Sequence, residues 1–221
     1  MREVVGEEVK AYCGQTRSAA LVAQLEAEGI GECTVRGELK SRRRDPWFYD
    51  NGAYRDWTAG KAFNAIQFTR DMRRIRYSAG SDATPDFVVL PDLVARGVES
   101  LAFSTEWWHD VEGLHCYLAV QNGMTVDDVR GWIRMQHDLL CEVYPTTKIA
   151  GLFVGGTMDW KIETALDWIR LAHEHGMWCH VGRVGTPDRV RWARDIGADS
   201  IDSCLPLMFA KHLERFLGAL A

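Results

Sequence analysis

The sequence predicts an α/β fold: a compact (β/α)8 barrel in which residues 1–221 form a single domain. Three observations predict it. Short apolar, β-rich runs alternate with helical patterns, the arrangement that gives parallel strands joined by helical crossovers. The composition, 47% hydrophobic and 26% charged over 221 residues, suits one sizeable core, and no Pro/Ser/Gly-rich or low-complexity stretch divides the chain. Roughly seven or eight strand-helix units fit this length, at the lower end of the usual barrel size. An open, doubly wound sheet is the alternative. No G-x-G-x-x-G follows the first strand, which disfavours a dinucleotide-binding unit.

In chain order, Leu21, Val22 and Leu25 give Ala19 to Glu28 a helical pattern, and Trp47–Tyr49 reads as the first strand. Strands follow at Phe87–Leu90 and Cys116–Val120. A Thr125-x-x-Asp128 capping box then opens a helix over Val126 to Val143, with Val129, Ile133, Leu139, Leu140 and Val143 as its apolar positions. Ile149–Val154 is the next strand. Asp159 to His175 is helical through Ile162, Ala165, Leu166, Ile169 and Ala172. The apolar run Trp178–Val184 ends in a glycine turn. There Thr186 offers an N-cap hydroxyl, Pro187 takes the first helical position, and Gly197 stops the helix after Ile196. Ser200–Leu205 is the last strand and carries Asp202 towards its C-terminal end.

The net charge of −5, from 26 Lys+Arg against 31 Asp+Glu, excludes a globally basic nucleic-acid coat. A local basic track remains: Lys40, Arg42, Arg43 and Arg44, then Arg70, Arg73, Arg74 and Arg76. It reads either as solvated surface or as a phosphate-facing edge. The six cysteines form no C-x-x-C pair and no cluster with histidine, so neither structural zinc nor another metal is expected, and no cofactor is implied. The N-terminus has no apolar core of signal-peptide type, and no run reaches membrane-span length. A cytoplasmic protein with reduced cysteines and no membrane partner is expected.

The strand ends carry the chemistry. They read Asp50-Asn51-Gly52-Ala53-Tyr54; Asp86 through Leu90-Pro91-Asp92; Val120-Gln121-Asn122-Gly123; Val154-Gly155-Gly156-Thr157; Gly182-Arg183-Val184-Gly185; and Asp202. In a parallel barrel these ends converge on one mouth, where reactive groups sit. Each also has a plain structural reading. Asp50-Asn51-Gly52 is good turn chemistry, Asp92 could cap a helix after Pro91, Gln121 could be a solvated loop residue, and Gly155-Gly156 could serve tight packing. Asp86 starts its strand and is expected at the opposite, lower end.

The order Asp-x-Gly-[Gly/Ala]-aromatic, strand-Asp, Val-Gln-x-Gly, Val-Gly-Gly, Val-Gly-Thr-Pro-[Glu/Asp] and Gly-x-Asp-x-x-Asp resembles the tRNA-guanine transglycosylase superfamily. The match spans Asp50 to Pro206 and is most specific from Val184 to Asp188 and from Gly197 to Asp202. The resemblance implies a (β/α)8 barrel that exchanges guanine in a polynucleotide for a 7-deazaguanine base as co-substrate. It makes Asp202 the nucleophile at the sugar C1′ and Asp50 the proton-handling carboxylate. Asp92 would bind the amidine edge of the purine, and Gln121 with the backbone of Gly155 and Gly156 would read its carbonyl. A carboxylate suits the N1–H and N2–H edge, and N–H donors suit O6.

The chain departs from the family in three places. The family's Cys-x-Cys-x2-Cys…His zinc site after the nucleophile is missing, its Pro-Thr-Arg is here Leu205-Pro206-Leu207-Met208, and the second glycine of Asp-Ser-Gly-Gly is Ala53. These features, with Val-Gly-Gly-x-x-x-Trp-Lys and His-Val-Gly-Arg-Val, resemble the short phage and bacterial branch that inserts 7-deazaguanines into DNA. DNA is thus the expected polymer and tRNA the alternative. A homo-oligomer is allowed, and the host cytoplasm is the expected location for a phage-encoded chain. Two further readings stay open: a small-molecule barrel enzyme gripping phosphate at Gly155-Gly156 and Gly182 to Gly185, and a silent partner subunit. His173 and His175 read as cap or core, His180 as core or substrate contact, and Trp107-Trp108-His109 as packing or a base-stacking platform.

Overall fold

The computed structural model describes residues 9–40, 43–77 and 84–220. Eight parallel strands close into a barrel in sequence order: β1 (Lys10–Cys13), β2 (Gly31–Val35), β3 (Trp47–Asp50), β4 (Val88–Val89), β5 (His115–Val120), β6 (Lys148–Val154), β7 (Trp178–Val181) and β8 (Ser200–Ser203). The ring is sealed by β1 against β8, with Lys10 opposite Ser200 and Cys13 opposite Ser203. Eight α-helices pack outside: α1 (Ala19–Ala27), α2 (Ala53–Thr58), α3 (Ala65–Tyr77), α4 (Glu99–Thr105), α5 (Val126–Val143), α6 (Met158–Glu174), α7 (Pro187–Asp195) and α8 (Ala210–Leu220). Among the described residues β2 passes to β3 without a helix, and β3 is followed by two.

Alternation along the strands separates two apolar cores. Tyr12, Cys33, Phe48, Phe87, Val89, Tyr117 and Ala119 point inward and fill the barrel, while the intervening residues pack under the helices. The filling is aromatic. Phe48 stacks on Phe87 at 4.6 Å, and Phe87 stacks on Tyr117 at 3.8 Å. Gly31 and Gly151 make room for this layer, since a Cβ at either would lie 2.5 Å from the Tyr12 or Tyr117 ring. At the lower end Asp86 accepts from Lys10 Nζ at 2.7 Å and from the Tyr12 hydroxyl at 2.5 Å, which plugs the barrel floor.

The helix boundaries follow local chemistry. Both bonds of the α5 capping box form, Asp128 N–H to Thr125 Oγ1 at 3.2 Å and Thr125 N–H to Asp128 Oδ2 at 3.0 Å. Thr186 is the N-cap of α7 and Pro187 its first residue, but the Thr186 hydroxyl makes no capping bond. The helix faces differ from the sequence expectation. Leu139 and Val143 on α5, and Ile162 and Leu166 on α6, are exposed, whereas Gln136 and Lys161 are buried. No helix begins at Asp92; α4 starts at Glu99, so Asp92 is not a cap. Trp107 and Trp108 are buried beneath the helix layer, with Trp108 Nε1 donating to Gln136, so neither offers a platform to a base. All six cysteines are unpaired. No helix among the described residues is long and apolar enough to cross a membrane.

Candidate active site

Closure of the barrel brings the C-terminal strand ends together around a cavity of about 110 Å³. All six residues expected there from the sequence line it: Asp50, Asp92, Gln121, Gly155, Gly156 and Asp202. Asn51, Tyr54, Phe153 and Arg183, to which no role was assigned, line it too.

Asp202 is held through one of its two carboxylate oxygens. It is nearly buried at the end of β8, and its Oδ1 accepts from His180 Nε2 at 3.0 Å and from the Arg183 backbone N–H at 3.1 Å. His180 is fully buried and stacks on Phe153 at 4.8 Å. Its Nδ1 meets Ser200 Oγ at 2.9 Å, and its Nε2–H donates to the Asp202 carboxylate, which can only accept. Oδ2 has no partner among the described residues, and Asp202 lines the cavity. His180 is therefore a core histidine that orients the carboxylate. The signal for it in the sequence is its register, two residues before the Gly182 turn and opposite Ser200.

Asp50 ends β3. Its Oδ1 accepts the Gly52 N–H at 2.6 Å, closing an Asx turn, with Gly52 in the left-handed region at φ 69°. Burial pushes its carboxyl above the usual range and the nearby Asp202 adds to this, against the Gly52 N–H. Asp92 is pushed up to about 6, mainly by burial, while the Asn51 amide pulls the other way and Asp50 adds to the rise. Asn51 Nδ2 donates to Asp92 Oδ1 at 2.8 Å and to Leu90 O at 2.6 Å, and its Oδ1 accepts the Ala53 N–H at 2.7 Å. The turn residue of Asp50-Asn51-Gly52 thus ties the β3 end to the β4 end. Buried Arg36 holds the Asn51 carbonyl at 2.8 Å and pairs with Asp56.

Gln121 lies beside Asp92 in a different manner from that expected. Its Oε1 accepts the Ala95 N–H at 2.7 Å, and its Nε2 donates to Leu93 O at 2.9 Å and Asp92 Oδ2 at 3.3 Å. The amide orients Asp92 and the turn after it, so its donors are engaged by the protein. The Gly155 N–H is likewise taken by Val120 O at 2.9 Å, which leaves the Gly156 N–H as the backbone donor at this turn. Gly156 has φ 69°, and a Cβ there would meet the Trp160 ring at 2.6 Å and Asn122 Oδ1 at 2.7 Å, so only glycine fits.

One cation of the site is fully inside the fold. Lys161 of α6 is 1% exposed and donates to Gly182 O, holding the β7 turn in place. Burial lowers its ammonium to about 7, with Arg183 acting in the same direction and Asp202 against it.

The basic track lies elsewhere. Arg44 is buried on the flank of β1 and β2, where one guanidinium nitrogen donates to Cys13 O, Gly14 O and Gly31 O; it presents no face to a phosphate. Arg43 lies 4.2 Å over the Trp47 ring, and Arg42 is outside the described residues. Arg70, Arg73, Arg74 and Arg76 sit on α3, which runs back from the mouth. Arg76, near its end, donates to His109 O at 2.8 Å and pairs with Glu112, just before the start of β5. Those arginines lead towards the barrel floor, away from the cavity. Among the described residues no group of three His, Cys, Asp or Glu side chains is placed to hold a metal ion.

The arrangement offers a carboxylate oxygen fixed and open to the cavity, a second carboxyl with raised proton affinity, and a third held by two amides. These carboxyls stand at or just after the ends of β3, β4 and β8, on different sides of one cavity, and their chemistry suits a nucleophile, a proton carrier and an acceptor for an N–H edge. Neither a protein-family model nor a curated protein matches this chain.

Proposed function

We propose that the protein is a nucleic-acid guanine transglycosylase that exchanges guanine in DNA for a 7-deazaguanine base. The observation that supports this reading best is Asp202, whose Oδ1 is tied by His180 and Arg183 while Oδ2 faces a cavity that Asp50 and Asp92 share. In the first step Oδ2 attacks C1′ of the target nucleotide. The C1′–N9 bond breaks, and the leaving guanine takes the proton held by Asp50. The sugar is then an ester of Asp202. In the second step N9 of the incoming base attacks C1′ from the opposite side and gives its proton to Asp50, and the ester bond breaks. Two inversions give net retention, the logic of a retaining glycosidase.

Asp92 accepts from N1–H and N2–H, and the Gly156 N–H faces the O6 side. The lone pairs of Asp92 left by Asn51 and Gln121 suffice for two more donors. A target stacked in a duplex must be turned out or already single-stranded to reach the cavity. The choice of DNA over tRNA rests on the branch that the Val-Gly-Gly-x-x-x-Trp-Lys and His-Val-Gly-Arg-Val motifs resemble.

Incubation of the protein with radiolabelled guanine and either DNA or tRNA tests the reading. Label is expected in DNA, and a denaturing gel is expected to show a covalent protein–oligonucleotide band that Asp202→Asn removes. Full exchange by the Asn variant would sink the assignment. Label in tRNA alone would change the polymer and keep the chemistry.

A further inference from the structure

Arg183, like Ala95 in the turn after Asp92, is a non-glycine residue of the site turns with a left-handed backbone. Its φ of 59° lies in the left-handed region, in a turn that also carries Gly182 and Gly185. The conformation has two consequences. It aims the Arg183 N–H at Asp202 Oδ1, and it throws the side chain across the mouth. The guanidinium carbon lies 4.2 Å over the Tyr54 ring, and one of its nitrogens donates to Gly156 O. Tyr54 stands on α2, directly after β3, and Arg183 follows β7. In the closed ring these strands are four apart, on opposite sides of the barrel. The side chain therefore bridges the cavity from one rim to the other.

Two features suggest that this bridge is made to be exchanged. The contact partners are a neutral carbonyl and an aromatic face, at a side chain exposed to solvent, whereas the other arginines near the mouth hold carboxylates: Arg36 pairs with Asp56 and Arg55 with Glu38. The remaining N–H donors of the Arg183 fork have no acceptor among the described residues, and Arg183 is the one cation among the described residues lining the cavity. A fork of this kind fits a phosphate with two parallel bonds.

We infer that Arg183 is a latch over the pocket that opens by exchanging Tyr54 and Gly156 O for a backbone phosphate of the polynucleotide. The inference rests on the transglycosylase reading and adds to it a specificity element: the cavity opens for a base attached to a phosphate chain and is covered towards free bases until that chain is bound. A phosphate drawing the guanidinium outward uncovers the cavity, while the backbone N–H stays on Asp202.

Arg183→Gly removes the side chain and suits the left-handed backbone, so the variant keeps its melting temperature. Two bindings are measured on wild type and variant: radiolabelled guanine by equilibrium dialysis, and a guanine-containing single-stranded DNA oligonucleotide by fluorescence anisotropy over a salt series. The latch requires opposite signs. Free guanine should bind about two- to fivefold more tightly to Arg183→Gly, the fold-change of losing one exposed cation–π contact. Oligonucleotide affinity should fall, and its logarithmic salt slope should flatten by about one. Arg183→Lys keeps the charge without the fork, so it should restore the slope but not the cover. Both affinities moving the same way, or neither moving, would overturn the latch. If wild type exchanges guanine normally in that case, the transglycosylase reading survives. Wild type binding neither probe would remove both.

Discussion

At the barrel floor Asp86 receives Lys10 Nζ and the Tyr12 hydroxyl, with the Phe48, Phe87 and Tyr117 rings layered above it. At the mouth, Asp50, Asp92 and Asp202 line a cavity together with Val89, Ala119 and Phe153. Among the described residues no Lys or Arg is hydrogen-bonded to their side chains; their partners are amides, a histidine and backbone N–H groups. Both ends place carboxylates on inward-facing ground, yet only the floor neutralises one with a lysine. The contrast teaches how to separate structural from chemical acids in a barrel. The carboxylate that closes the floor has a counter-charge, whereas those at the mouth have uncharged donors and room, and burial raises the proton affinity of Asp50 and Asp92.

The sharpest way to test that contrast is to neutralise Asp92. In the folded protein its carboxyl is pushed up to about 6, against 3.8 for an ordinary Asp. A raised folded value means that the stability linked to this group is fully present below 3.8 and is lost as pH rises through about 6. Asp92→Asn should therefore stabilise the fold at pH 8, by on the order of 1–3 kcal/mol, seen in denaturant melts. The same variant should lose guanine binding by about 10-fold to several hundred-fold, because the amide cannot accept two N–H donors as the carboxylate does. Wild-type guanine affinity should be flat above about pH 7 and fall roughly tenfold per unit below the Asp92 transition. A variant that is less stable at pH 8, or that binds guanine normally, would place Asp92 with the structural acids.

The converse variant is Asp86→Ala. Burial and the adjacent Asp86 carboxylate push the Tyr12 phenol well above its usual range, so this hydroxyl stays protonated and needs its acceptor. Removing Asp86 leaves a buried donor unsatisfied and should cost about 1–3 kcal/mol of stability, with guanine affinity within about twofold of wild type. Lost guanine binding in a variant that still melts cooperatively would break the distinction between floor and mouth.

Much of the mouth was legible in the sequence because strand ends in a parallel barrel converge whatever their separation along the chain. Asp50, Asp92, Gln121, Gly155 and Gly156 follow apolar runs, Asp202 lies within a short strand, and topology does the rest. What stayed hidden has a physical cause in each case. β1 and β2 are short, and β2 carries Glu32 and Thr34 on its outer side, bonded to each other and to Gln15 where apolar residues would have marked a strand. Lys161 looks like a surface lysine of an amphipathic helix, and only the Gly182 carbonyl explains its burial. Arg44 looks like part of a basic run, but three backbone carbonyls hold it inside. Gln121 has the right position with a different job, because an amide's partners are set by the turn it faces. Charge runs and helix stripes report composition; they do not report which side of an element meets the core.

The smallest expected effect concerns the outer wall. The sequence leaves Arg70 and Arg73 either as solvated surface or in a phosphate-facing edge, and for the edge a double alanine variant would flatten the salt slope of DNA binding by about two. The structure places both on α3, exposed, on a helix that begins near the mouth and descends to Arg76 beside Glu112 at the lower side. Asp71 between them faces the other way, accepting from Tyr49 Oη at 2.9 Å and the Gly37 N–H at 2.7 Å, so the helix cannot roll to bring its arginines over the cavity. A strand threaded to Asp202 passes Arg183 without descending that flank. Arg70→Ala/Arg73→Ala is therefore expected to leave oligonucleotide affinity within about twofold and the slope unchanged in the same anisotropy series. A slope lower by two would mean that the polynucleotide runs down the side of the barrel, and that the outer wall belongs with the mouth as a binding region.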